Sequence, residues 1–415
     1  MTSRFPWPWR ELGESLVFHG SGATPKGGKK AYKSSGVPLV RSMNVHDLRF
    51  EGSNLAHIDE SQAAELDRVT IKRGDILLNI TGASVARCCI APEQVVGGRV
   101  NQHVMLLRVD PDKTDSGWLG RALSGPYKSS LLAIASSGAT REALTKADVS
   151  SFCVSFPPIE FQQRTVALLQ PFDDLIENNR RRIEILEGMA RLLFREWFVY
   201  FRYPGHEGVE LVDSDLGPIP GDWDVRSFSE LADFVNGFAF KPNHWLDEGL
   251  PIVKIKELKG GVTAQTPRYH GADIKKKFFI DDGAVLFSWS ADLKAYVWAS
   301  GPALLNQHLF VVQPHEVSDL FMFHSLNSRM SDFQARAQGT TMKHIKRSAL
   351  REVKLAIPPI KLRTEFESVA RPMLDLQLNL ARQTQTLREA RDLLLPRLVS
   401  GELDVSELGL GLVGV

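Results

Sequence analysis

Two stretches of this chain place apolar residues at alternating steps of three and four. In the first, Leu169, Phe172, Ile176, Ile183, Leu186, Ala190, Leu193 and Trp197 keep that spacing, with Asn179 as its one polar member. In the second, Phe366, Val369, Met373, Leu376, Leu380, Leu387, Ala390 and Leu394 keep it, with Gln383. Heptad spacing over about four repeats predicts two helices, each roughly 60 Å long at 1.5 Å per residue, that pair as a coiled coil. A core helix beneath a single domain would show a wider apolar face. Buried, Asn179 and Gln383 would fix the register at some cost in stability.

The rest of the chain follows a different pattern. Apolar runs of strand length occur at Val37–Val40, Ile76–Ile80 and Val104–Val109, punctuated by Thr81–Ser84 and Gly97-Gly98, and Gly117–Ala135 carries helical spacing. The vocabulary returns later, with strand-like runs at Leu250–Ile255, Ala284–Trp289 and Leu309–Val312 and a helical pattern at Leu320–Phe333. Each block therefore predicts a mixed α/β domain.

The two blocks are copies. GATREALTKADVSSFCVSFPPIEF (Gly138–Phe161) returns about 200 residues later as GTTMKHIKRSALREVKLAIPPIKL (Gly339–Leu362), and GRVNQHVMLLRVDP (Gly98–Pro111) faces ALLNQHLFVVQP (Ala303–Pro314). So long a period marks a duplicated domain rather than a solenoid unit. The pairs Pro157-Pro158 and Pro358-Pro359 end a strand-like run and launch a helix, because proline disfavours helix in the residue before it and suits a first turn. The expected organisation is a first recognition domain over 1–158, a central spacer helix over 159–205, a second domain over 206–360, a C-terminal spacer helix over 361–404 and a tail over 405–415. With a pseudo-twofold axis the helices would run antiparallel, with the blocks at opposite ends.

Composition adds bounds. The 415 residues, 43% hydrophobic, suffice for two cores plus long helices. Residues 1–158 hold nineteen basic and fifteen acidic side chains (+4), and residues 206–360 seventeen and nineteen (−2), so bulk charge neither demands nor excludes nucleic acid. Cys88, Cys89 and Cys153 show no metal or disulfide spacing, the N-terminus has no apolar leader, and no run approaches a membrane span. A cytoplasmic protein is expected.

Two related but non-identical domains on a stiff rod suit double-stranded DNA, whose half-sites recur on one face about every 34 Å. Candidate contacts in the first block are Lys29, Lys30, Lys33, Arg41, Asn44, Thr81, Ser84, Thr140, Arg141 and Lys146. In the second they are Lys254, Lys256, Ser288, Lys294, Thr340, Thr341, Lys343, His344, Lys346 and Arg347. Hydroxyls and amines of this kind meet phosphates, whereas Arg and Asn read base edges. Asn101-Gln102-His103 and Asn306-Gln307-His308 could read bases, yet each precedes a strand, which makes a turn role for the Asn and buried hydrogen bonds for the Gln at least equal readings. Lys275-Lys276-Lys277 reads as an edge guard. No phosphate-loop, dinucleotide, HExxH or GxSxG motif is present, and FPPI and IPPI lack the Asn of an adenine methyltransferase motif. No catalytic centre, metal or cofactor is expected of this chain. A coiled-coil adaptor with duplicated protein- or carbohydrate-binding domains is the alternative.

Two variable blocks, each closing on a PPI segment and followed by a heptad helix, resemble the specificity (S) subunit of a Type I restriction-modification system. EILEGMARLLFREWF (Glu184–Phe198) and LLLPRLVSGELDV (Leu393–Val405) are similar to that family's conserved regions. The resemblance implies two target recognition domains, each reading half of a split DNA site, and an intramolecular antiparallel coiled coil that sets the gap. It further implies two S-adenosylmethionine-binding adenine methyltransferase (modification) subunits as partners, with restriction and translocase subunits joining them. Which residues contact bases it leaves open.

Overall fold

The computed structural model describes residues 6–137, 142–263, 265–339 and 344–405. The chain divides into two compact units, Met1–Leu175 with Leu387–Val415, and Ile176–Thr386. Each is a mixed α/β domain joined to parts of two 40-residue helices, Ile159–Phe198 and Ile360–Val399.

In the first unit an antiparallel sheet takes the order Leu16–Ser21, Val104–Val109, Ile76–Asn79, Cys88–Ile90. Its centre is buried on both faces, so its strands read as continuous apolar runs. Ile76, Leu78, Met105 and Leu107 point into a core shared with Trp118, Leu119 and Leu169, while Leu77, Val104 and Leu106 point into a second core with Val40 and Val100. That second core is closed by a small sheet ordered Ala56–Ile58, Val37–Val40, Arg99–Val100, whose last pair is parallel. A two-stranded ladder joins Trp9–Glu11 to Cys153–Ser155.

The second unit repeats this topology. Its main sheet runs Ala232–Asn236, Leu309–Pro314, Val285–Ser288, Lys294–Val297. The small sheet runs Arg268–Tyr269, Leu250–Val253, Ala303–Leu305, Phe279–Ile280, again with one parallel pair, Leu250–Val253 with Ala303–Leu305. Asp224–Ser227 pairs with Lys354–Ile357. The extra strand Phe279–Ile280 lies at an edge, one residue after Lys275-Lys276-Lys277, whose charged side chains discourage further pairing.

Both intermediate helices differ from expectation. Gly117–Ala135 forms two helices, Ser116–Ser124 and Lys128–Ser136, because Gly125-Pro126 interrupts the ladder. Gly125 also packs so tightly that a Cβ there would lie 2.7 Å from Leu395 Cδ2. Leu320–Phe333 likewise divides into Asp319–Ser328 and Met330–Ala335 at Arg329. The strand predicted to run to Ile255 stops at Val253, and a short helix, Ile255–Gly260, begins.

The double prolines act as expected, each between the closing strand and a long helix. The freed carbonyls are satisfied by the helix itself. Gln162 Nε2 donates to Pro157 O at 2.9 Å, and at the equivalent place Arg363 Nε donates to Pro358 O at 3.1 Å.

Within the first unit the start of the first long helix lies against the end of the second. Arg391 meets Asp173 at 2.8 Å, and Leu169 shares a core with Leu395 and Leu398. Within the second unit the end of the first meets the start of the second, with Phe194 and Phe198 ring centroids 5.7 and 5.1 Å from that of Phe366. The helices therefore pack antiparallel within each unit. Asn179 is buried as expected, but Gln383 is exposed and Thr384 is buried instead, its hydroxyl donating to Leu380 O at 2.8 Å. The reason is the burial of Leu362, Phe366, Ala370 and Leu374 in the domain core. Each step of four turns the buried line by about 40° around the axis, so the seam has left the strict heptad positions by residue 384. Val369 and Leu376 are exposed accordingly, at 44% and 36%.

Candidate nucleic-acid interface

In each unit five strand ends converge. In the first, Ser21 pairs with Met105, Asn79 with Val104, and Val40 with Val100, so the C-terminal ends of four strands meet the beginning of Val104–Val109. Backbone bonds tie the loops that leave this end: Gly22 N to Asn101 O (3.2 Å), Asn101 N to Val40 O (3.0 Å), Ile80 N to His103 O (3.0 Å) and Leu144 N to Ile80 O (2.8 Å). The second unit matches, with Asn306 N to Val253 O (3.1 Å), Gln307 N to Phe238 O (3.0 Å) and Ile345 N to Trp289 O (3.0 Å).

Glycine is required where these loops cross. A Cβ on Gly22 would lie 1.7 Å from Val100 O, and one on Gly237 would lie 2.3 Å from Asn306 O. The Asn-Gln-His triplets sit at these crossings. Asn101 Oδ1 accepts from His103 N at 3.0 Å and Asn306 Oδ1 from His308 N at 3.3 Å, the turn role expected of them. Gln102 Nε2 lies 2.8 Å from His103 Nε2, whose ring also holds Thr81 Oγ1 at 2.6 Å from Nδ1. In both copies the glutamine Oε1 is buried without a hydrogen-bond partner.

The sequence-predicted residues divide. Arg41, Thr81 and Ser84 stand at the convergent end of the first unit, with Ser84 Oγ accepting from Asn79 Nδ2 at 3.2 Å. Lys254 and His344 stand at that of the second, where His344 bridges Ser290. Asn44 and Ser288 are corrected to scaffold roles, since both are fully buried. Asn44 caps its turn by accepting from Arg41 N and donating to Glu51 O, and Ser288 donates to Ser290 O. Lys30, Lys33, Lys146, Lys256 and Lys346 are exposed. Arg347 is exposed but anchored, donating to Phe234 O at 2.9 Å over the Phe310 ring. Lys294 lines a cavity of about 510 Å³ with Glu187, Arg191 and His324. Thr140, Arg141, Thr340, Thr341, Lys343 and the side chain of Lys29 lie outside the described residues.

Two residues escaped sequence reasoning. The Arg41 guanidinium carbon lies 5.1 Å from the Tyr32 ring centroid, and Lys254 Nζ lies 4.6 Å from that of Trp245. The signal was present in the paired segments YKSSGVPLVR (Tyr32–Arg41) and WLDEGLPIVK (Trp245–Lys254), which align without a gap. Cys88 and Cys89 belong to the core. Burial pushes the Cys88 thiol up to about 12, so it stays protonated. No helix among the described residues is long and apolar enough to cross a membrane.

Comparison with known proteins agrees with the duplication. The family model described as Type I restriction modification DNA specificity domain matches residues 7–187 and 220–362. The MjaIX Type I restriction enzyme specificity subunit of Methanocaldococcus jannaschii is 25% identical over 399 residues, spanning 93% of this chain and 91% of that protein. The EcoBI specificity subunit of Escherichia coli is 25% identical over 205 residues, 47% of this chain and 43% of that one. Among solved structures, the S subunit of a Type I restriction-modification system from M. genitalium aligns with a TM-score of 0.53 at 15% identity, covering 96% of this chain and 99% of that one.

Proposed function

Because this chain belongs to the Type I restriction modification DNA specificity family, we propose that each of its two domains reads one half of a split double-stranded DNA site through its convergent strand ends. The protein is a DNA-recognition subunit. Methyl transfer to adenine and DNA cleavage belong to the modification and restriction subunits with which it assembles in the cytoplasm, and the paired long helices serve as spacer and docking surface.

One observation carries the assignment of the reading surface: the same convergence of five strand ends is built twice and carries different side chains each time. A shared scaffold with divergent loops suits two readers of two different sequences. Exposed Lys146, Lys256 and Lys346 supply the phosphate contacts that position each domain. A coiled-coil adaptor for protein or carbohydrate is disfavoured by the family match over both copies.

The test is methylation mapping by long-read sequencing in a host that expresses this chain with its modification subunit. One split adenine motif is expected. No new methylated motif in the presence of an active methyltransferase would reject the reading.

A further inference from the structure

The cation and ring pairs at the two convergent ends differ in kind while occupying one position of the repeat. Arg41 faces Tyr32 in the first domain and Lys254 faces Trp245 in the second, each cation one residue beyond a strand whose last residue accepts from the Asn of the triplet. Trp245 belongs to no core cluster, and Tyr32 only flanks the small cluster of Leu39, Ala56, Ile58 and Ala63. Trp245 is 48% exposed, which is unusual for so large an apolar side chain, and Tyr32 is half-buried. Each turn is instead held by other groups: Asn44 accepts from Arg41 N, and buried Glu257 accepts from Lys254 N.

The cations retain donors for a ligand. Arg41 Nη2 donates to Asn54 O at 2.6 Å and Nε is buried, which leaves Nη1 without a hydrogen-bond partner among the described residues and as the donor for a base. Lys254 Nζ has no carboxylate or carbonyl partner among the described residues. A flexible cation held over an aromatic face loses less rotamer freedom on binding. Cationic donors of this kind pair with the N7 and O6 acceptors of guanine in the major groove.

Resting on the DNA-reading assignment above, we propose that Arg41 and Lys254 each read a guanine, one in each half-site, and that Tyr32 and Trp245 are the positioning residues that hold them. The two half-sites then share a reading position whose discrimination is tuned by the local pair. The interchangeable part of each domain reduces, at this position, to two side chains nine residues apart in sequence.

Methylation mapping of the full chain with its modification subunit tests this directly. Arg41→Ala should make one guanine position degenerate in the first half-site and leave the second half-site intact, and Arg41→Gln should move that position toward adenine. Lys254→Ala and Trp245→Ala should relax one position of the second half-site alone. Tyr32→Phe, which keeps the ring, should retain the wild-type motif, and Tyr32→Ala should relax it. Binding to the cognate duplex should fall about tenfold or more for each cation removed. An unchanged motif in both Arg41→Ala and Lys254→Ala overturns the proposal, as does uniform weakening at every base, which marks a phosphate contact. Failure of the wild-type chain to yield any split motif would instead reject the DNA-reading assignment itself.

Discussion

The Arg391 guanidinium lies 2.8 Å from the Asp173 carboxylate although 218 residues separate them in the chain. The other carboxylate oxygen takes Arg121 at 2.7 Å, and all three side chains are at least 85% shielded from solvent. Asp173→Ala would leave two buried guanidinium groups without their shared partner. It should cost about 3 kcal/mol, read as a lower denaturation midpoint of the full chain. A loss below about 1 kcal/mol, the level of an exposed pair, would show that the cluster contributes little.

His324 offers a pH test. It is 6% exposed and stacks on Phe194 at 5.5 Å; burial, with Arg191 nearby, lowers its pKa to about 4. The unfolded chain binds a proton at this residue near 6.5, so folding keeps the imidazole neutral. Its contribution is fully present above that value and is lost as pH falls from about 6.5 toward 4. The loss should reach about 3 kcal/mol. His324→Phe should abolish that part of the pH dependence, measured as the difference between the two proteins in urea denaturation across the window. Parallel curves would place His324 in a wetter site.

The loop crossings predict a steric effect. Gly22→Ala and Gly237→Ala each force a carbonyl to move, because the added carbon would stand 1.7 or 2.3 Å from it. Each should destabilise by about 2 kcal/mol or more and impair one half-site only. Thermal unfolding with half-site binding checks both. Full binding at both half-sites would mean that the triplet loops tolerate displacement.

Lys346 and Arg347 are neighbours that should behave differently. Lys346→Ala should reduce the slope of log affinity against log salt by about 1 with little change in stability. Arg347 donates to Phe234 O, so Arg347→Ala should cost about 1 kcal/mol in folding. Equal salt slopes for Lys346→Ala and wild type would remove Lys346 from the phosphate contacts.

The spacer role proposed for the long helices makes a length prediction. Seven residues added to one long helix should disrupt its packing, whereas matched insertions in both should extend the pair by about 10 Å, near three base pairs of gap at 3.4 Å each. Methylation mapping reads the gap. An unchanged gap after matched insertions would rule out the spacer role.

Much of the fold was legible because duplication showed every signal twice. The double prolines, the Asn-Gln-His turns and the two 40-residue helices all follow from local chemistry. What failed needed three dimensions. Gln383 fits a heptad read along one line, but the line turns once Phe366 and Leu374 enter the domain core. Asn44 and Ser288 are small polar residues beside strands, and only the fold shows that their hydrogen bonds close inward. Tyr32 and Trp245 were hidden because identity, not spacing, differs between the copies.

The first unit draws its core from both ends of the chain, since Leu395, Leu398, Val399 and Val405 pack with Leu12, Trp118 and Leu169. The second unit, Ile176–Thr386, is continuous. During synthesis the first unit therefore cannot close until residues 395–405, which follow the whole of the second unit, have been made. A nonsense mutation just before Leu395 would therefore strip core residues from the unit made earlier and leave the second unit's own residues intact.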